Sequence, residues 1–256
     1  MNQASKEHIL RNISQDVRYD GRTKTQYRHI EITTDVSHTA EGSAQIRIGD
    51  TVVIAGVKLA LEKPYPDTPN KGNLMVNAEL LPIASDKFEM GPPSMDSIEL
   101  ARVVDRTVRE SGAIDLQALC VTHGEQVWSV MCDVCPLNNA GNLFDAASLA
   151  VAVALQQAVF PAITEDGVDY KTKTKNKLPL SDVPLSVTVW KIGDEFIVDP
   201  TEAEQEAFDA RLTVGMLSDG HICALQKGGD GVLSVDDAKT MVGIAQDAAK
   251  HLRSLL

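Results

Sequence analysis

The chain has 256 residues, a length that suits one large domain or two small ones and that buries a sizeable core without disulfide or metal staples. Hydrophobic residues at 43% and charged residues at 23% exclude wholesale disorder, and no apolar run approaches the ~20 residues of a membrane span. With 24 Lys and Arg against 36 Asp and Glu the net charge is −12, which excludes coating nucleic acid or anionic membrane by bulk attraction and leaves only a local basic patch for polyanions. Aromatics at 4% argue against a stacking platform for bases. The start, Met1–His8, lacks the apolar stretch of a signal peptide, and four cysteines make no disulfide framework. The expectation is a soluble, cytoplasmic protein without a cofactor.

Residues 1–18 read as a short amphipathic helix or a mobile arm. Ser43–Ile48 and Thr51–Leu59, rich in Val, Ile and Thr, flank Gly49-Asp50 and predict a hairpin. Leu74–Ile83 reads as a third strand. Gly91-Pro92-Pro93 then breaks the pattern ahead of a helix over Asp96–Ser111, with Ser94 or Asp96 as N-cap. Val121–Val134 is strand-like, Asn138–Gly141 a turn, and Phe144–Val159 an apolar helix ended by Pro161. Lys171–Lys177, which lacks apolar periodicity, reads as a solvated connection rather than as a contact for a phosphate backbone. Strands follow at Leu185–Ile192, Glu195–Val198, Arg211–Met216 and His221–Gln226, and a helix from Val235 to Leu256 closes the chain. Ile-Gly-Asp recurs at 48–50 and 192–194, each time between strand-like runs, a hint of two related units. The expected organisation is α+β, with an arm over 1–18, a core lobe over 19–165, a connecting loop over 166–182 and a smaller lobe over 183–256.

Several motifs invite chemistry. Cys132 and Cys135 are three apart in a strand, so they point to opposite faces and read as structural rather than as metal ligands. The six histidines show no ligand spacing, and Gly228–Gly231 reads as a turn rather than a phosphate loop. The carboxylate run Asp199–Glu206 reads as a solvated acidic loop rather than a Mg²⁺ site. The most informative stretch is Ile98–Arg109. Ala101, Val104 and Val108 share one helix face, while Arg102, Arg106 and Arg109 form a stripe pointing away from it. Asp105 can reach Arg102 or Arg109, and Glu110 can reach Arg106. Spacing alone leaves anion binding and a salt-bridge ladder both open.

Asp20-Gly-Arg22, Ala40–Ala44, Pro66–Asn70, Asn77–Leu80, the long run Phe88–Ser111 and Asp209–Thr213, in that order, resemble the RNase PH family. Within it they resemble the non-catalytic RNase PH-like subunit of the archaeal exosome, over about residues 16–256. The resemblance implies the RNase PH fold, an S5-domain-2-like N-terminal lobe followed by a smaller, related C-terminal α/β lobe. It also implies an alternating ring, a trimer of heterodimers with a catalytic RNase PH-like paralogue, capped by S1/KH-type RNA-binding subunits. Single-stranded RNA threads this ring and is degraded 3′-to-5′ by phosphorolysis. In this subfamily the arginines matching Arg102 and Arg106 contact RNA phosphates beside the catalytic neighbour, while Arg109 has no such match.

Active relatives cradle phosphate in an Asp-Gly-Gly-Ser/Thr-Arg turn, where this chain has Ala140–Phe144, with neither a hydroxyl nor an arginine. They place an aspartate after an Ile-Pro-Met-x stretch, where this chain has Val187. Of two further aspartates six apart, Asp199 matches the first, but position 205 is glutamine, which cannot serve as an acid. These losses imply a degenerate active site and no catalytic residues. The alternatives are a catalytic exoribonuclease built around Asp199 and a purely architectural ring subunit.

Overall fold

In the computed structural model, which describes residues 3–164 and 167–256, the chain runs α1 (Gln3–Ser14), β1 (Ile30–Thr34), β2 (Gly42–Ile48), β3 (Thr51–Glu62), β4 (Asn73–Ala78) and α2 (Met95–Ser111). It continues through β5 (Cys120–Thr122), β6 (Gln126–Asn138), α3 (Leu143–Gln157), β7 (Val159–Thr164) and β8 (Gly167–Lys177). The last part is β9 (Leu185–Ile192), β10 (Glu195–Val198), the single turn α4 (Glu202–Gln205), β11 (Ala210–Met216), β12 (Ile222–Gly228) and α5 (Val235–Arg253).

The first sheet has the order β1-β2-β3-β6-β4, with β5 on β6; every pair is antiparallel except β4 with β6. The second has the order β10-β9-β11-β12 and is antiparallel throughout. Between them lies α3, mostly apolar and buried from Leu143 to Leu155, because it meets β2, β3 and β6 on one side and β9 on the other. Beside it, α2 joins β4 to β11 and β12. Every residue of β11 and all but one of β9 are buried, as strands covered on both faces must be, and α5 packs on β9 and β11. Gly42 is required where β2 crosses α3: a Cβ there would lie 2.2 Å from the Ala154 carbonyl oxygen.

The repeated Ile-Gly-Asp closes the same kind of turn twice. Ile48 pairs with Thr51 and Ile192 with Glu195, leaving two-residue loops whose glycines, Gly49 and Gly193, have φ of 57° and 59°. Glycine with positive φ at the first loop position matches the right-handed twist of the flanking strands. The two lobes thus share a hairpin as well as a tripeptide.

Three expectations need correction. The segment expected as a connecting loop over 166–182 contains a strand: residues 167–177 form β8, paired antiparallel with β7. Its alternating Lys and Thr suit an exposed strand, which satisfies its backbone through β7 and needs no apolar face. Pro161, expected only to end a helix, sits in β7 beside shifts in register. The strand expected over Leu74–Ile83 ends at Ala78, ahead of Pro82, which has no N–H for the ladder.

Candidate nucleic-acid interface

Helix α2 is fixed at both ends. Ser94 caps it by accepting from Ser97 N at 3.2 Å, and Gly112 closes it in the left-handed conformation, φ 63°. Its inner face is Leu100, Val103, Val104, Thr107 and Val108; Ala101, expected on that face, is only half-buried. Arg102, Arg106 and Arg109 are all exposed on the outer side.

The three arginines differ in what holds them. Arg109 is spoken for: its Nη2 and Nε donate to Asp105 at 2.7 and 3.0 Å, and Nη2 also donates to the Leu74 carbonyl at 2.7 Å. The Asp105 hydrogen bonds raise its pKa. Arg106 Nη1 donates to Gln226 Oε1 on β12 at 2.9 Å, and Glu110 forms no ion pair with it. Arg102 makes no hydrogen bond or ion pair among the described residues. Asp105 thus neutralises Arg109 alone, and two uncompensated guanidiniums remain one turn apart on one ridge.

The turn Ala140–Phe144 and its surroundings are built in the opposite way. Asn142 adopts φ 59° at the start of α3, and its backbone N–H donates to Gln205 Oε1 at 3.0 Å. Its Nδ2 bridges two buried carboxylates, Asp145 at 3.1 Å and Asp199 at 3.0 Å. Asp199 also accepts from Arg22 Nη1 at 2.9 Å and from Arg28 through the backbone N–H at 2.8 Å, Nε at 2.9 Å and Nη2 at 2.7 Å. Val187 is fully buried in β9.

The acidic run is therefore not a solvated loop. Asp199 and Glu204 are buried, Glu204 facing Arg18 with Nε–Oε1 at 2.8 Å while it closes a capping box with Thr201. The carboxylates serve the segment between α1 and β1, whose Arg18, Arg22 and Arg28 bring three cations to the seam of the two lobes. Sequence reasoning missed Arg18 and Arg28; the signal was a density of arginines around Asp20-Gly-Arg22 with too few nearby acids to match them. Half-buried Glu202 and exposed Glu206 hold Lys87 Nζ at 2.8 and 2.6 Å, which raises its pKa.

A cleft of about 370 Å³ opens beside this turn, lined by Lys87, Phe88, Glu99, Phe144, Gln205 and Arg211 among others. Buried Arg211 lies 4.2 Å over the Phe144 ring and pairs with Glu99 of α2 at 2.7 Å, tying α2 to β11. Among the described residues, no three His, Cys, Asp or Glu side chains stand close enough to hold a metal. Cys132 lies on the core face of β6, where burial pushes its thiol up to about 12, and Cys135 on the other face. No helix of the described residues is long and apolar enough to cross a membrane.

Residues 26–161 match domain 1 of the RNase PH, 3′ exoribonuclease family, and residues 182–248 match its domain 2. The chain is 42% identical over 250 residues to "Exosome complex component Rrp42" of Sulfurisphaera tokodaii, covering 96% of this chain and 91% of that protein. It is 42% identical over 249 residues to the protein of that name from Archaeoglobus fulgidus, covering 97% and 94%. The structure aligns with a chain of the "archaeoglobus fulgidus exosome with RNA bound to the active site" at TM-score 0.91 and 40% identity, covering 98% of this chain and 97% of that one. A chain of an "Archaeal exosome core" aligns at TM-score 0.86 and 38% identity, covering 98% and 95%. Two lobes built around a shared hairpin, both domain matches in order and near full-length relatives agree: the chain belongs to the RNase PH, 3′ exoribonuclease family.

Proposed function

We propose that the chain is a non-catalytic subunit of an exosome complex. In this reading Arg102 and Arg106 hold the phosphates of single-stranded RNA for an adjacent catalytic RNase PH-like subunit, which shortens the strand from its 3′ end by phosphorolysis. One contrast carries the proposal: the exposed guanidiniums of Arg102 and Arg106 lack a carboxylate, while Asp199, the carboxylate that could have done chemistry, has no free oxygen. Guanidiniums hold phosphate by paired N–H donors independent of base, which positions a linkage without reading sequence. Their contribution to rate is proximity, exerted on a reaction completed by the neighbour.

The chemistry itself lacks its parts in this chain. Phosphate as nucleophile needs free backbone N–H groups and a hydroxyl or arginine, but the Asn142 N–H is taken by Gln205. The departing 3′ oxygen needs a proton donor, and Asp199 instead accepts from Arg22, Arg28 and Asn142. Val187 adds an apolar wall where active relatives have a carboxylate. The likeness to exosome components supports assembly with the catalytic paralogue in an alternating ring of three heterodimers, with S1/KH-type caps, in the cytoplasm. Inorganic phosphate is the nucleophile in this reading.

Two measurements test the reading. Purified chain with RNA and phosphate should release no nucleoside diphosphates, and adding the catalytic subunit should start release; release by the chain alone would overturn the proposal. Arg102→Ala with Arg106→Ala should leave assembly intact and weaken RNA binding. The dependence on log salt should flatten by about 0.7 per lost phosphate contact. Unchanged affinity would leave an architectural subunit.

A further inference from the structure

The strand β8 carries Lys171, Lys173, Lys175 and Lys177, all exposed, and none forms an ion pair among the described residues. By contrast, Lys24, Lys58, Lys87 and Lys191 each meet a carboxylate oxygen at 2.8 Å or less. No acidic residue occurs between Asp169 and Asp182. Asp169 accepts from the Lys171 backbone N–H at 3.0 Å and forms no ion pair with the run's ammonium groups among the described residues. A net −12 protein thus keeps four lysines on one short strand that have no ion pair among the described residues.

The strand is anchored. Thr174 Oγ1 donates to the Phe160 carbonyl at 2.7 Å, and Phe160 packs on Trp128 at 5.2 Å between ring centroids. The Lys58 ammonium lies 4.7 Å from the Tyr170 ring centroid. Directly after β8 the chain crosses to the end of α2: Leu180 bridges Ile114, Ser181 N donates to Ala113 O at 2.8 Å, and Asp115 N donates to Pro179 O at 3.1 Å. The base of the lysine strand is therefore fastened to the segment that follows the arginine helix.

We propose that β8 is a second, sequence-independent contact for the phosphate backbone of single-stranded RNA, continuing the track begun by Arg102 and Arg106. This rests on the reading of α2 as an RNA contact. The two elements differ in a useful way. The arginines span about 6 Å of helix axis, reach for one or two phosphates and fix geometry. The lysines span about 20 Å of extended chain, flexible point charges that follow a strand without dictating its register. An extended polyanion suits that length, and counterion release supplies the affinity.

The test uses the reconstituted complex and two oligoadenylates, one reaching only the arginines and one long enough to run along β8 as well. Exchanging the four lysines for glutamine (K171Q, K173Q, K175Q, K177Q) should leave binding of the short RNA unchanged. Affinity for the long one should fall about tenfold at low salt, with a flatter salt slope. Exchanging all four for arginine should keep long-RNA affinity. The alanine pair at Arg102 and Arg106 should weaken both RNAs, so failure on the arginines and failure on β8 are separable. Equal affinity of the glutamine variant for the long RNA would overturn the proposal. That result together with loss of a protein partner would assign the lysines to an acidic protein face. That result together with aggregation would make them guards of an exposed strand edge.

Discussion

Arg18 and Arg22 are buried and Arg28 half-buried against Asp199 and Glu204, whereas Arg102 and Arg106 stand on the outer ridge of α2 with one hydrogen bond, from Arg106 to Gln226. The residue type is the same and the task is different. A guanidinium taken out of water costs several kcal/mol unless a carboxylate and carbonyls replace its hydration. In the seam they do: Arg22 adds the Gln26 and Asp199 carbonyls at 2.8 and 3.1 Å to its carboxylate partners. On α2 hydration is never lost, so nothing in folding calls for two unpaired cations there. The seam arginines are matched to buried carboxylates and Asp105 takes Arg109, which leaves Arg102 and Arg106 free to act on something outside the fold.

The largest expected effect comes from breaking the seam. Asp199 adopts φ 47°, which asparagine tolerates, so Asp199→Asn removes the charge without forcing the backbone. Arg22 and Arg28 would lose their shared anion, and unfolding stability should fall by about 3–5 kcal/mol. Arg102→Ala should change it by no more than about 0.5 kcal/mol. Urea midpoints at equal slope measure both. A seam variant as stable as the α2 variant would erase the distinction.

Asp145 sharpens the comparison, because it shares Asn142 with Asp199 yet meets no arginine. Its donors are neutral: Tyr27 Oη at 2.6 Å, Asn142 Nδ2 at 3.1 Å and Thr188 N at 2.8 Å. Burial outweighs these hydrogen bonds and pushes its pKa up to about 6 from 3.8. The folded value lies above the unfolded one, so protonation favours the folded state. Stability from this group is full below pH ~4 and is lost as pH rises through ~6, on the order of 3 kcal/mol in all. Glu204, held down by Arg18 against its own desolvation, works in the opposite direction at lower pH. Subtracting the pH–stability curve of Asp145→Asn from that of the parent should isolate a falling step between pH 4 and 6. A flat difference would mean that the hydrogen bonds fully offset burial.

Much of this was legible in the sequence. The hairpin turns at Gly49 and Gly193, the Ser94 cap and the all-buried α3 follow from local rules that tertiary contacts did not overrule. The α2 ridge was legible as geometry, but spacing could not say which arginine Asp105 would take. That depended on the Leu74 carbonyl, which β4 brings to Arg109 and not to Arg102. The seam was the least legible part. Asp199 and Glu204 read as solvated because their partners lie more than 170 residues away in sequence, and Glu204 is separated from Arg18 by 186. Lys171–Lys177 read as a loop because an exposed strand needs no apolar periodicity.

The smallest expected effect concerns how α2 presents its arginines. Ser94 supplies the side-chain N-cap of that helix, so Ser94→Ala should cost about 1 kcal/mol, and Ser94→Asp should retain most of it. The loss is confined to the first turn. Arg102 and Arg106 lie beyond it, where Leu100, Val103 and Val104 clamp the helix to the core and Glu99 pairs with buried Arg211. RNA affinity of the Ser94→Ala protein should therefore match the parent while its urea midpoint drops. If affinity falls with the cap as far as it falls when both arginines are removed, then the ridge is set by the fraying end rather than by the core. Arg102 and Arg106 would then be no better placed than any surface cation.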